Sequence, residues 1–189
     1  MHNFDSVLGA AQQGANWASA ALWAEYAPAV AAFLASRGSS EPEDVTSEVF
    51  IAVLRSLPSF RGNEAAFRSF VFSIAYRRLV DELRKRSYRG PHNEWIDERD
   101  PRRTPSAESV ALERMADDSA LALLNHLPEA QRDVMVLRMI ADLTFDQVAE
   151  ILGKRPGAVK ALQRRALESL RKKLAVSRTV SSPPNDSEK

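Results

Sequence analysis

The sequence predicts an all-α protein: two small helical domains joined by a flexible linker, the second of them a helix-turn-helix. Three observations carry this. Apolar residues recur at helical spacing along most of the chain, and no alternating pattern is long enough to build a sheet. With 44% apolar and 27% charged residues, a chain of 189 residues has enough apolar surface to offset its entropy and cannot be wholly disordered. Between residues 91 and 118 three prolines and charges of mixed sign replace the periodicity, which divides the chain into residues 1–90 and residues 119–176.

Element by element, the first 36 residues come first. From Ser6 to Ser36 the only charge is Glu25, and alanine dominates. The longest purely apolar run, Ala29 to Ala35, falls well short of the roughly 20 residues a membrane span needs. A start of Met-His-Asn-Phe-Asp also lacks the basic lead of a signal peptide, so no membrane insertion is expected. One or two alanine-rich helices remain, with Pro28 suited to a first turn and Gly38 to a stop.

A helix over Pro42–Leu57 follows, with Val45, Val49, Ala52 and Val53 as its inner stripe, widened by Phe50, Leu54 and Leu57. Asp44, Ser47, Glu48 and Arg55 line its outer side, and Ile51 lies among them as an exposed apolar residue. After the loop Ser59-Phe60-Arg61-Gly62-Asn63, a long helix runs over 64–89. Phe67, Phe70, Val71 and Ile74 lie on one of its sides, and Phe72, Tyr76, Leu79, Val80 and Leu83 roughly 160° away at 100° per residue. The first side also carries Arg77, Arg78, Arg84 and Lys85. Rings interleaved with guanidinium groups suit a nucleic-acid single strand, because bases stack on rings while cations follow phosphates. Core packing is the better reading for Phe67, Phe70 and Ile74, but burying several unpaired guanidinium groups is prohibitive.

In the second half, Thr144-Phe145-Asp146-Gln147 opens a helix with a capping box. Counting from Phe145, a small residue, Ala149, falls fifth, Gly153 ninth and Val159 fifteenth, the spacing of a helix-turn-helix. The small residue lets two helices approach, the glycine permits the bend and the valine closes the core beneath it. Leu152, Leu162, Ala166 and Leu170 continue the stripe. Lys154, Arg155, Lys160, Gln163, Arg164 and Arg165 then lie at the outer start of the second helix, where a recognition helix meets the major groove. From Ser177 onward the sequence reads as a disordered tail, residues 177–189.

The formal net charge of +1 hides a segregation. Residues 1–60 carry net −4 and residues 61–90 net +5; residues 91–126 carry −4, residues 127–152 −3 and residues 153–176 +7. Two basic blocks inside patterned helices imply two separate polyanion contacts. Without cysteine there is no disulfide framework or thiolate site, and the three histidines, His2, His92 and His126, lie far apart. No Gly-rich phosphate loop or nucleophile elbow occurs. An enzyme is therefore not expected, nor any cofactor, metal or small-molecule substrate, and the cytoplasm is the natural compartment.

Taken in order, the stretches EPEDVTSEVFIAVLRSLPSF, FRSFVFSIAYRRLVDELRKR and LPEAQRDVMVLRMIADLTFDQVAEILGKRPGAVKALQRRALESLRKKL resemble bacterial RNA polymerase sigma factors of the compact extracytoplasmic-function (ECF) type. The resemblance implies a dissociable factor that binds core RNA polymerase, directs it to promoter DNA and helps to open the duplex. It places Asp44, Ser47, Glu48 and Ile51 on the polymerase, in a first domain over 1–90. It places Phe60, Arg61, Asn63, Arg77, Arg78 and Arg84 on the minus-ten element and melted strand. Lys154, Arg155, Lys160, Gln163, Arg164 and Arg165 fall on its minus-thirty-five reader, in the domain over 119–176. The acidic linker, residues 91–118, corresponds to the family's segment threading the polymerase, and an anti-sigma factor is implied as a further partner. Phe70 and Arg78 depart from the tryptophan and asparagine usual in the family, and Ala158 and Ala161 from its threonine and serine, which bears on base preference. The rival reading, a stand-alone helix-turn-helix regulator, accounts for residues 120–176 but not for the acidic and the aromatic, basic helices before them.

Overall fold

Helices account for all the regular structure in the computed structural model, which describes residues 3–89 and 123–180. The expected linker, residues 91–118, lies outside the described residues. The chain opens with α1 (Phe4–Gln12) and α2 (Asn16–Ser36), continues with α3 (Pro42–Ser56) and a 3-10 turn (Leu57–Ser59), and completes its first bundle with α4 (Glu64–Arg89). The second part holds α5 (Glu129–Met139), α6 (Phe145–Leu152) and α7 (Pro156–Val180).

α2 is the axis of the first bundle. It is long and apolar enough to cross a membrane by length and composition. Here its apolar surface packs against α1, α3 and α4 instead, burying Ala18, Leu22, Tyr26, Ala27, Val30, Phe33 and Leu34. Pro28 does not start a helix as its sequence position suggests; it lies inside α2, on an exposed side. An interior proline removes one backbone hydrogen bond, but the buried residues on both sides of it hold the helix continuous. Gly38 follows the helix end with φ +83°.

Phe67 anchors α4 to this core. It is wholly buried, with the rings of Phe4, Tyr26 and Phe60 at centroid distances of 5.5, 5.3 and 5.3 Å. Tilted and edge-on pairs at these distances add to the area they bury. Leu54, placed by its spacing on the inner stripe of α3, is 38% exposed, because α2 and α4 cover only the side that carries Val49, Phe50 and Val53. Glu82 of α4 ties down the loop before α3: it accepts from the Ser39 hydroxyl at 2.7 Å and from the Ser40 amide and hydroxyl at 2.8 and 2.9 Å.

In the second part, Val134, Val136, Leu137, Leu143, Val148 and Val159 are fully buried between α5, α6 and α7. Arg132 braces the entry to α5 by donating to the carbonyls of Leu124, Asn125 and Leu127. The capping box of α6 forms as expected, with the Gln147 amide donating to Thr144 Oγ1 and the Thr144 amide to Gln147 Oε1. Gly153 sits at φ +61°, the left-handed turn that only glycine adopts without strain. α7 runs to Val180, with no proline or glycine to interrupt it after Gly157, and residues 181–189 of the expected tail lie outside the described residues.

The two parts touch. Arg37, just past α2, reaches Asp133 of α5 with Nε 2.6 Å from Oδ1, and both side chains are buried. α6 lies along α4, where Gln147 Nε2 donates to the Ala65 carbonyl at 2.9 Å.

Candidate nucleic-acid interface

Side-chain hydrogen bonds shape the loop between the 3-10 turn and α4. Gln12 of α1 donates to the carbonyls of both Leu57 and Phe60, pinning the loop from beneath. Arg61 folds back onto the carbonyls of Pro58 and Phe60. Asn63 accepts from the Ala66 amide at 3.0 Å through its side chain, which satisfies one of the open donors of α4. A Cβ on Gly62 would stand 2.8 Å from that of Ala66 and 3.1 Å from the Phe60 ring, so the close turn requires glycine. Phe60, Arg61 and Asn63 thus share one shaped loop. Phe60 is half-buried, stacked at a tilt 5.3 Å from Phe70, while Arg61 and Asn63 are exposed.

On α4 the mixed aromatic and basic side separates by depth. Phe67 belongs to the core, Phe70 and Ile74 are half-buried against it, and Arg77, Arg78 and Arg84 are exposed. Phe67 is therefore not part of a stacking platform; its burial is what fixes the height of Phe70 and the arginines above it. Ser69, Phe70, Ser73 and Arg77 line one wall of a cleft whose other wall is Gln147, Glu150 and Ile151 of α6.

The four residues expected on a protein partner, Asp44, Ser47, Glu48 and Ile51, all lie exposed on one side of α3, and Ile51 is 51% exposed. Glu48 Oε2 is 3.4 Å from Arg78 Nη1, so this acidic side and the basic side of α4 meet at an ion pair. Large exposed apolar side chains continue beyond Ile51. Leu54 is one, and Trp23, 41% exposed, rests on Phe50 with ring centroids 4.7 Å apart.

On α7 and the turn before it, Lys154, Arg155, Lys160, Arg164 and Arg165 are exposed, whereas Gln163 is half-buried with its Oε1 enclosed. Lys160 Nζ lies 5.5 Å from the Phe145 ring centre, and the Arg138 guanidinium 4.7 Å from the same ring. Gln12, Arg37, Asp133 and Tyr76 are the positioning residues whose roles sequence patterning misses. Each acts through a partner distant in sequence, and the Arg37–Asp133 pair is separated by 96 positions.

Comparison with known proteins shows the family. Residues 22–89 match the family model for Sigma-70 region 2, and residues 123–172 that for Sigma-70 region 4. The chain is 38% identical over 133 residues to the ECF RNA polymerase sigma factor ShbA of Streptomyces griseus, a match covering 68% of this chain and 69% of ShbA. It is 30% identical over 162 residues to the ECF RNA polymerase sigma factor RpoE of Cereibacter sphaeroides, covering 84% and 87%. With BldN of Streptomyces coelicolor it shares 29% over 164 residues, 85% of this chain and 61% of that one. The same fold occurs in CnrH, solved in complex with the cytosolic domain of CnrY, at a TM-score of 0.63, 23% identity and coverage of 90% of this chain and 96% of that chain. The chain belongs to the ECF RNA polymerase sigma factors and is a transcription-initiation factor of that family.

Proposed function

We propose that the exposed side of α3, carrying Asp44, Ser47, Glu48 and Ile51, binds core RNA polymerase. In the same reading the Phe60–Asn63 loop with Arg77, Arg78 and Arg84 holds the minus-ten element and the melted strand. Lys154, Arg155, Lys160, Gln163, Arg164 and Arg165 read the minus-thirty-five element in the major groove. The first functional unit spans residues 1–90 and the second residues 119–176, and the work is done in the cytoplasm. An anti-sigma factor is a further partner, a reading supported by CnrH having been solved with a protein domain bound.

The observation that carries this reading is the spatial division of charge. An acidic side with an exposed isoleucine adjoins a basic, ring-bearing side on the first bundle, and a separate cationic patch tops the helix-turn-helix. Opening then requires no covalent chemistry, because stacking and phosphate contacts hold the separated strand. In transcription with core polymerase, Glu48→Lys should abolish polymerase binding and leave duplex binding by the second unit unchanged. Arg155→Ala should weaken promoter binding by about 1–3 kcal/mol with polymerase binding intact. Full transcription by Glu48→Lys, or equal loss of polymerase affinity in Arg155→Ala, would reject the assignment.

A further inference from the structure

We propose that α1, through Gln12, is a positioning element for strand binding: its side-chain amide holds the Phe60–Asn63 loop in the shape that grips the separated strand. The inference rests on the functional reading of that loop given above. It adds an element to that reading, since α1 precedes the residues, 22–89, that match Sigma-70 region 2. Three observations carry it.

First, local backbone structure fixes the place of Gln12. It is the last residue of α1, and the helix ends in a Schellman motif. Gly14 takes φ +85°, its amide donates to the Ala11 carbonyl at 3.0 Å, and the Ala15 amide donates to the Ala10 carbonyl at 3.0 Å. Upstream, Phe4, Leu8 and Ala11 are buried, with the Phe4 ring centre 5.5 Å from that of Phe67. With both ends of α1 seated, the side chain at position 12 is delivered to one spot.

Second, the amide nitrogen of Gln12 closes the 3-10 turn from outside. Nε2 donates to the Leu57 carbonyl at 3.0 Å and to the Phe60 carbonyl at 2.9 Å, the first residue of the turn and the one that follows it. The Phe60 amide donates to the same Leu57 carbonyl at 3.1 Å. Two main-chain carbonyls require two donors, which a carboxylate or an apolar side chain at position 12 does not supply.

Third, the pinned main chain carries side chains assigned to the strand. The Phe60 ring stands 5.3 Å from Phe70, and Arg61 and Asn63 are exposed. Arg61 Nη1 shares the Phe60 carbonyl with Gln12. When Arg61 turns from that carbonyl to a phosphate, Gln12 keeps the carbonyl satisfied and the turn closed. A loop already in its binding shape loses less freedom on binding, so strand affinity follows the fraction of the loop held in that shape.

The test uses the full chain with core polymerase. Gln12→Met keeps the length of the side chain and removes both donors; Gln12→Glu keeps its shape and, ionised, offers only acceptors. Three quantities are measured: amide hydrogen exchange over residues 57–63, holoenzyme affinity for a labelled single strand, and affinity for core polymerase. The strand covers the minus-ten element of a promoter that the wild type transcribes. Both variants should exchange faster in the loop and bind the strand about five- to tenfold more weakly, with core affinity and helical content unchanged. Gln13→Met, at the exposed neighbouring position, should match wild type in all three. Each Gln12 variant is also made with Gly9→Ala, which strengthens α1 where an added Cβ meets nothing within 4 Å, so that loss of the helix does not stand in for loss of the pin. Unchanged strand affinity, weaker strand binding without a looser loop, or an equal loss of core affinity overturns the proposal. Full strand binding by Arg84→Ala would instead strike the functional reading, because Arg84 lies on α4 outside the pinned loop.

Discussion

Single side chains set both the shape and the pH response of the first bundle. Partial burial works to raise the Glu82 carboxyl, but hydrogen bonds from the Ser39 hydroxyl and the Ser40 amide and hydroxyl outweigh it and hold the group below its ordinary value of 4.5. A carboxylate with a lowered folded value contributes stability that is present above 4.5 and lost as the pH falls through the folded value. Glu82→Gln should therefore lower unfolding stability at neutral pH by about 1 kcal/mol or less, since the site is largely solvated. The difference from wild type should vanish in acid, as denaturant titrations at the two pH values would show. Tyr26 follows a different physics: burial, then the negative Glu64 carboxylate beside it, pushes its phenol upward. That keeps a neutral hydroxyl under the start of α4, where it donates to Glu64 at 3.4 Å.

Among the elements, α6 is short and owes its definition to its ends. Eight residues cannot sustain a helix alone in water, so the Thr144 box at one end and the left-handed Gly153 at the other carry unusual weight. Thr144→Ala should cost about 1 kcal/mol of stability. Gly153→Ala, which forces a Cβ into left-handed backbone, should cost about 1–2 kcal/mol. Nothing stands within 4 Å of a Cβ at Gly153, so the second penalty is one of backbone conformation and not of crowding. Thermal unfolding of the full chain, paired with duplex binding, would separate loss of fold from loss of the reading surface. α2 makes the complementary point. Its composition suits a membrane as well as a core, and what decides is the apolar sides that α1, α3 and α4 turn toward it.

At the scale of the whole molecule, Tyr76 links the two parts by donating to Asp133 at 3.3 Å. Burial, then the Asp133 carboxylate across the interface, pushes its phenol up to about 12. A tyrosine raised in this way contributes stability that is complete below its ordinary value of 10 and lost as the pH rises through about 12. Tyr76→Phe should therefore flatten the loss of stability between those values, in alkaline unfolding followed by circular dichroism. An unchanged profile would mean that Tyr76 titrates free of the second part. The sequence by itself determined the helices, the helix-turn-helix turn and the order of acidic and basic surfaces. Apolar spacing, capping residues and glycine act over a few positions, so their record is local. It determined equally that Asp44, Ser47, Glu48 and Ile51 share a side, because positions three and four apart do so on any helix. For Phe67 the sequence favoured the core without deciding it, since both readings satisfy the same periodicity, and its complete burial in the tertiary structure settled the matter. The tertiary structure alone also joined Arg37 to Asp133 and set α6 across a cleft from Arg77. Such contacts depend on how two bundles meet, and no spacing within either bundle encodes the charge or the shape that the other will present.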